Sequence, residues 1–129
     1  MIREDYLLRL IRQVILAVIG SRRQRQEAAQ EQALEELDAA ARSLLGLDVS
    51  LLGRVPLPTL SGLLSPGDEP DAARILAAGL LLVERSRVLE ALGRPDPAGP
   101  LAARGEALIA QALALAPELR LGRYLARWG

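Results

Sequence analysis

A run of nine consecutive residues without a polar side chain, 75–83, constrains the fold of this chain more than any other feature. Charged residues at helical spacing follow it, so the run predicts a helix that is apolar on every side. In a folded domain such a helix is covered by neighbours on several faces. Asp68, with Pro70 and Asp71 in the first turn, is predicted to open this helix and Gly93 to end it. We expect it to be the central and longest helix.

The core of this chain has to be built from aliphatic side chains. Half of the 129 residues are hydrophobic, but only 2% are aromatic and phenylalanine is absent. Leucine and alanine at helical spacing are typical of packed helices, whereas the residues that favour strands are scarce. At this length we expect a single all-α domain, residues 1–129, of about five to seven helices arranged as antiparallel hairpins.

Glycines and prolines divide the domain into three predicted segments, 1–22, 23–67 and 68–129. Beside the central helix, helices are predicted over 2–20, over 24–45 with Gly46 as C-terminal cap, from Pro100 to about Ala116, and over a short C-terminal capping stretch after Pro117. Short helical turns are predicted between 48 and 67. Their leucines are expected to pack onto the core: Leu51, Leu52, Leu60, Leu63 and Leu64. Gly79 in the central helix is expected to let a neighbouring backbone approach closely.

The second helix is predicted to have one apolar and one acidic side. Its inward stripe is Ala33, Leu34, Leu37, Ala41, Leu44 and Leu45, and its outer side carries Glu27, Glu31, Glu35 and Asp38. Asp38 and Arg42 have the spacing of an i,i+4 ion pair. Carboxylates on one helix face also occur in the metal sites of helical bundles, but those sites add histidines, which this chain lacks. We therefore expect a solvated face and no metal.

The side chains on which most enzymes depend are missing from this chain. It contains no histidine and no cysteine, and all sixteen of its basic residues are arginine. Imidazole general bases, thiolate nucleophiles, Schiff-base lysines, disulfides and thiolate zinc sites are thereby excluded. Sixteen acidic residues balance the arginines, so no net charge attracts nucleic acid over a distance. We expect a cytoplasmic protein that is not an enzyme and uses no cofactor.

The first helix carries more apolar surface than one packing face uses. Its second half, VILAVI at 14–19, is apolar all round, whereas Arg9 and Arg12 mark a polar side before it. Such a stretch is buried from two sides, either within the fold or between subunits. We therefore predict a protein–protein interaction or scaffold module, in its simplest form a homodimer. The predicted contact residues are Tyr6, Leu7, Leu8, Ile11, Ile15, Val18 and Ile19.

Two other functions fit the same sequence. A peripheral membrane protein would lay the first helix in the lipid interface, with Arg22, Arg23 and Arg25 at the headgroups. An RNA-binding adaptor would use C-terminal arginines and aromatics that can stack bases: Arg120, Arg123, Tyr124, Arg127 and Trp128. The first set also suits the capping of a helix end and the second the sealing of the core. Because the net charge is zero, RNA binding is the weaker alternative.

Two sequence patterns resemble known helical proteins. Within 75–117, the glycine of ALGRPDP and the ending LIAQALALAP resemble the inter-helix turn and the closing Ala-Leu-x-Leu-x-Pro of a tetratricopeptide repeat. The opening MIREDYLLRLI is similar to the start Met-Ile-x-x-Asp-Tyr-Leu-x-Arg-x-Ile of a family of short, uncharacterised bacterial proteins with a tetratricopeptide-like helical domain. This resemblance implies a fold over nearly the whole chain. It implies no activity and supplies no catalytic residues.

Overall fold

The computed structural model describes residues 9–16 and 27–117, with the backbone alone at 27, 28 and 95–99. Every regular element in this part of the chain is a helix, and there are six of them, which confirms the predicted all-α fold. The described helices are α1 (9–16), α2 (Glu27–Leu45), α3 (Val49–Arg54), α4 (Leu57–Leu64), α5 (Ala72–Ala91) and α6 (Pro95–Leu115). A tetratricopeptide-like arrangement of these helices remains a prediction.

Helix α5 is the centre of the fold, as the apolar run at 75–83 predicts. Fourteen of its 20 residues are buried, and it contacts α2, α3, α4 and α6. Its neighbour α6 runs antiparallel to it, because Gly105 lies beside Val83 and Ile109 lies beside Gly79. These four helices thus pack around α5.

Both ends of α5 are capped, but the helix begins later than predicted. Its N-cap is Asp71, whose carboxylate accepts a hydrogen bond of 3.2 Å from the backbone N–H of Arg74. The prediction that Asp68 opens this helix was wrong, because a residue directly before a proline, here Glu69, avoids helical backbone angles. The predicted end at Gly93 is confirmed. Gly93 has a φ of +75°, a left-handed conformation that favours glycine.

Helix α6 begins five residues before its predicted start at Pro100. A proline fits the first helical position, here Pro95, because the amide N–H that it lacks would have no acceptor inside the helix. Pro100 therefore lies inside α6, where its ring removes one backbone hydrogen bond near the N-terminal end. At 21 residues α6 is the longest helix of the described chain, one residue longer than α5, which corrects the prediction for α5.

Two glycines bring α5 and α6 into backbone contact. A Cβ atom added at Gly79 would lie 2.7 Å from the carbonyl oxygen of Gly105, and one added at Gly105 would lie 2.7 Å from the carbonyl oxygen of Gly79. Neither separation allows a side-chain carbon. The predicted close approach at Gly79 is therefore confirmed, and its counterpart on the facing helix is also a glycine.

Helix α2 packs on α5 through the predicted apolar stripe. Of the six residues, Leu44 is half-buried and the other five are buried. Gly46 ends the helix with a φ of +69°, and its N–H donates to the carbonyl of Arg42 at 3.1 Å. The predicted glycine cap is thereby confirmed.

The leucines of α3 and α4 divide between the core and the surface. Leu52, Leu60 and Leu64 are fully buried. The expectation that all five leucines pack inward was wrong for Leu51 and Leu63, which are 37% and 44% exposed. In helices of only six and eight residues, one face packs on the core and the opposite face is exposed to water.

Candidate functional site

The described part of α1 has one buried and one exposed face. Leu10, Ile11 and Val14 are at most 4% exposed and belong to the core. The opposite face repeats at positions i, i+3, i+4 and i+7, and its four residues are all exposed: Arg9, Arg12, Gln13 and Leu16. The helix therefore presents two cations, an amide and one large apolar side chain outside the fold.

Of the seven predicted contact residues, Ile11 and Ile15 lie in the described chain. Ile11 is 1% exposed, so its surface is already used by the core and offers nothing to a partner. Ile15 is half-buried and packs against the core from its edge. The remaining five lie outside the described residues: Tyr6, Leu7, Leu8, Val18 and Ile19.

The exposed apolar residue that the sequence interpretation missed is Leu16, which is 62% exposed. Its signal was present, because Leu16 lies one turn after Arg12 and two turns after Arg9, on the side that those arginines mark as polar. Among the described residues the other large apolar side chains that are exposed are leucines on separate helices: Leu51 on α3, Leu63 on α4 and Leu115 on α6. Leu16 is the most exposed of the four.

Arg74, at the start of α5, donates hydrogen bonds to the C-terminal ends of two other helices. Its Nε donates to the carbonyl of Leu64 at 2.8 Å, and its two terminal nitrogens donate to the carbonyls of Leu44 and Leu45 at 3.2 and 2.5 Å. The last carbonyls of a helix receive no hydrogen bond from a backbone N–H of the same helix, and they form the negative end of its dipole. The guanidinium therefore serves the C-terminal ends of α2 and α4.

Two ion pairs also join α2 to α5 and the turn that follows it. Asp38 pairs with Arg85, and Glu31 pairs with Arg94. The predicted partner of Asp38 was Arg42, which is one turn away on the same helix, whereas the structure pairs it across to α5. Burial raises the pKa of the Asp38 carboxyl above its ordinary value, and the attraction of Arg85 and Arg42 offsets this in part. These charges thus serve contacts between helices.

One further charged side chain, Glu84, is buried, and another, Arg104, is half-buried. Glu84 in α5 has the guanidinium of Arg87 3.5 Å from its carboxylate. Arg104 in α6 donates from Nε to the carbonyl of Leu52 at 2.7 Å, at the end of α3. One terminal nitrogen of Arg104 is buried without an acceptor, which is a costly arrangement for a guanidinium.

The remaining candidate groups do not form a chemical centre within the described chain. Among the residues that the structure describes, no three acidic side chains lie close enough together to hold a metal ion. The arginines and aromatics of the two alternative functions lie outside that part: Arg22, Arg23, Arg25, Arg120, Arg123, Tyr124, Arg127 and Trp128. None of the described helices combines the length and apolarity needed to cross a bilayer.

No protein-family model, no curated protein and no solved structure matches the chain.

Proposed function

We propose that this chain is a non-catalytic protein-interaction module that associates with a second copy of itself through α1. The observation that carries the proposal is the exposure of Leu16, at 62%, on a helix whose opposite face is anchored in the core. An anchored helix presents such a side chain in a fixed orientation, which lowers the entropy lost on binding. The apolar sequence Ala-Val-Ile at 17–19 continues directly from Leu16.

The use made of the ionisable groups supports the non-catalytic part of the proposal. Among the described carboxylates, the buried Glu84 and the half-buried Asp38 each have an arginine partner, and the half-buried Asp71 caps α5. A carboxylate general acid or base would face a cleft and a substrate. The cytoplasmic location, the bacterial family and the tetratricopeptide-like arrangement stay predictions of the sequence.

The proposal is tested by the oligomeric state of matched variants. Size-exclusion chromatography with light scattering at two concentrations should give a dimer for the wild type and a monomer for Leu16→Glu. Removing Leu16 from water is worth about 1–2 kcal/mol per copy, and a two-fold axis applies it twice, so the dimer Kd should rise by about two orders of magnitude. Leu63→Glu introduces the same charge at an exposed leucine of α4 and should remain dimeric.

A wild-type protein that stays monomeric at both concentrations would refute self-association. Equal loss of the dimer in Leu16→Glu and Leu63→Glu would refute the assignment to α1. Far-UV circular dichroism of both variants separates loss of association from loss of helix. Binding of the monomer to anionic vesicles, abolished by Leu16→Glu and weakened by salt, would replace the proposal with the peripheral-membrane function.

A further inference from the structure

The exposed faces of the first two helices carry opposite charges. On α1 the exposed face holds Arg9 and Arg12, with Leu16 one turn further on. On α2 the exposed face holds Glu35 and Glu36, with the exposed Arg42 nearly two turns further on. Glu31, the other exposed carboxylate among the described side chains of that face, is already paired with Arg94. The exposed face of α1 thus carries cations, and the middle of the exposed face of α2 carries carboxylates, on surfaces that are both outside the core.

This charge pattern selects between two ways of pairing two copies. If α1 packed on the partner's α1, Arg12 would meet an arginine in a parallel pair, which weakens an interface, or the apolar Leu16 in an antiparallel pair centred between them, and neither arrangement gives it a carboxylate. If α1 packed on the partner's α2, Arg12 would meet Glu35, and those charges would be complementary. The second arrangement also keeps the exposed leucine of α1 in the contact.

We propose that a second copy of this chain docks its α2 on the exposed face of α1, with Arg12 beside the partner's Glu35. This inference rests on the self-association proposed above and specifies the surface that α1 contacts. With the two helices running in the same direction, Leu16 then faces the partner's Ala39, because each lies four residues beyond its charged residue. Ala39 is exposed, and its small side chain leaves room for a leucine.

A two-fold axis forms this contact twice, since the α2 of the first copy docks on the α1 of the second. Each interface therefore contains two Arg12–Glu35 pairs and two leucines placed on alanines. The leucines supply the apolar area removed from water, and the charges set the register and the choice of partner surface. The dimer should accordingly weaken as the salt concentration rises.

The test is a charge exchange between the two helices, measured as the dimer Kd by analytical ultracentrifugation of the full chain. Arg12→Glu alone and Glu35→Arg alone should each raise the Kd about tenfold or more, because attraction turns into repulsion at two symmetric places. The double variant should recover to within about threefold of the wild type. Glu106→Arg replaces an exposed carboxylate of α6, changes the net charge as Glu35→Arg does and should leave the Kd unchanged.

The outcomes separate this inference from the proposal on which it rests. A dimer that Leu16→Glu breaks, but that ignores both charge reversals, would overturn docking on α2 and leave self-association through α1 intact. A double variant as weak as the single variants would overturn it equally. A monomeric wild type would refute both. Helicity measured by circular dichroism keeps misfolded variants from being read as dissociated ones.

Discussion

Replacing Arg74 with methionine tests whether a single guanidinium holds three helices together. Methionine keeps an apolar stem of similar length and removes the three hydrogen bonds to the carbonyls of Leu44, Leu45 and Leu64. Hydrogen bonds from a charged donor contribute about 1.5–3 kcal/mol each, and partial hydration of the freed carbonyls reduces the loss. We expect Arg74→Met to lower the free energy of unfolding by about 3 kcal/mol, a large part of the stability of a domain of this size.

Arg104→Met is the matched control for this prediction. Arg104 also approaches a helix end, but it makes one hydrogen bond, to Leu52, and buries a terminal nitrogen without an acceptor. Loss of the bond costs about 1.5–3 kcal/mol, whereas release of the unpartnered N–H group returns about 1–3 kcal/mol. We expect the free energy of unfolding of Arg104→Met to stay within about 1 kcal/mol of the wild type.

The assay is equilibrium unfolding in urea followed by circular dichroism at one protein concentration. A change in the midpoint with an unchanged slope reports stability, whereas a change in slope reports altered compactness. The capping of α5 by Asp71 uses the backbone N–H of Arg74 and survives the substitution. Equal losses of stability in Arg104→Met and Arg74→Met would refute this prediction. They would show that the number of carbonyls bound by a guanidinium does not determine how much it stabilises the fold.

Two further predictions concern packing and pH. Gly79→Ala should lower the free energy of unfolding by about 1–3 kcal/mol, because its Cβ would meet a backbone carbonyl. Gly62 has open space around it, so Gly62→Ala should raise the free energy of unfolding by about 0.5–1 kcal/mol in the same urea titration. Burial raises the pKa of the Asp38 carboxyl in the folded state. The protonated carboxyl therefore stabilises the fold below the unfolded-state pKa, and this stabilisation is lost as the pH rises through the folded-state pKa. Asp38→Asn should therefore gain stability relative to the wild type between about pH 3 and pH 7 in unfolding titrations. A relative loss over that range would show that the ion pair with Arg85 outweighs burial.

The sequence predicted where helices end better than where they begin. Gly46 and Gly93 are required by a positive φ, and few other residues adopt that conformation, so each glycine marks its end without reference to the rest of the fold. Starts are less specific, because several acidic residues and prolines compete as caps. Asp71 prevailed over Asp68 because Glu69 precedes a proline, but the same preference does not explain α6, which begins at Pro95 and keeps Gly99 helical before Pro100.

The candidate surface was predicted less well than the fold. The arginines at 9 and 12 mark the side on which Leu16 is exposed, but the sequence does not show how far the domain covers the opposite side, where Ile11 enters the core. That coverage is a property of tertiary packing. The partner of Asp38 was missed for a related reason, since Arg85 is distant in sequence and reaches it through the packing of two helices.

The contact between Gly79 and Gly105 bears on how relatives of this chain could be recognised. Most of the core is leucine, alanine, valine and isoleucine, and exchanges among the larger three that conserve volume cost little and so leave little trace of common descent. A backbone crossing that admits no Cβ on either helix tolerates no such exchange. A glycine on each side of a short turn, at corresponding depths of an antiparallel hairpin, should therefore persist after the surrounding aliphatic residues have diverged.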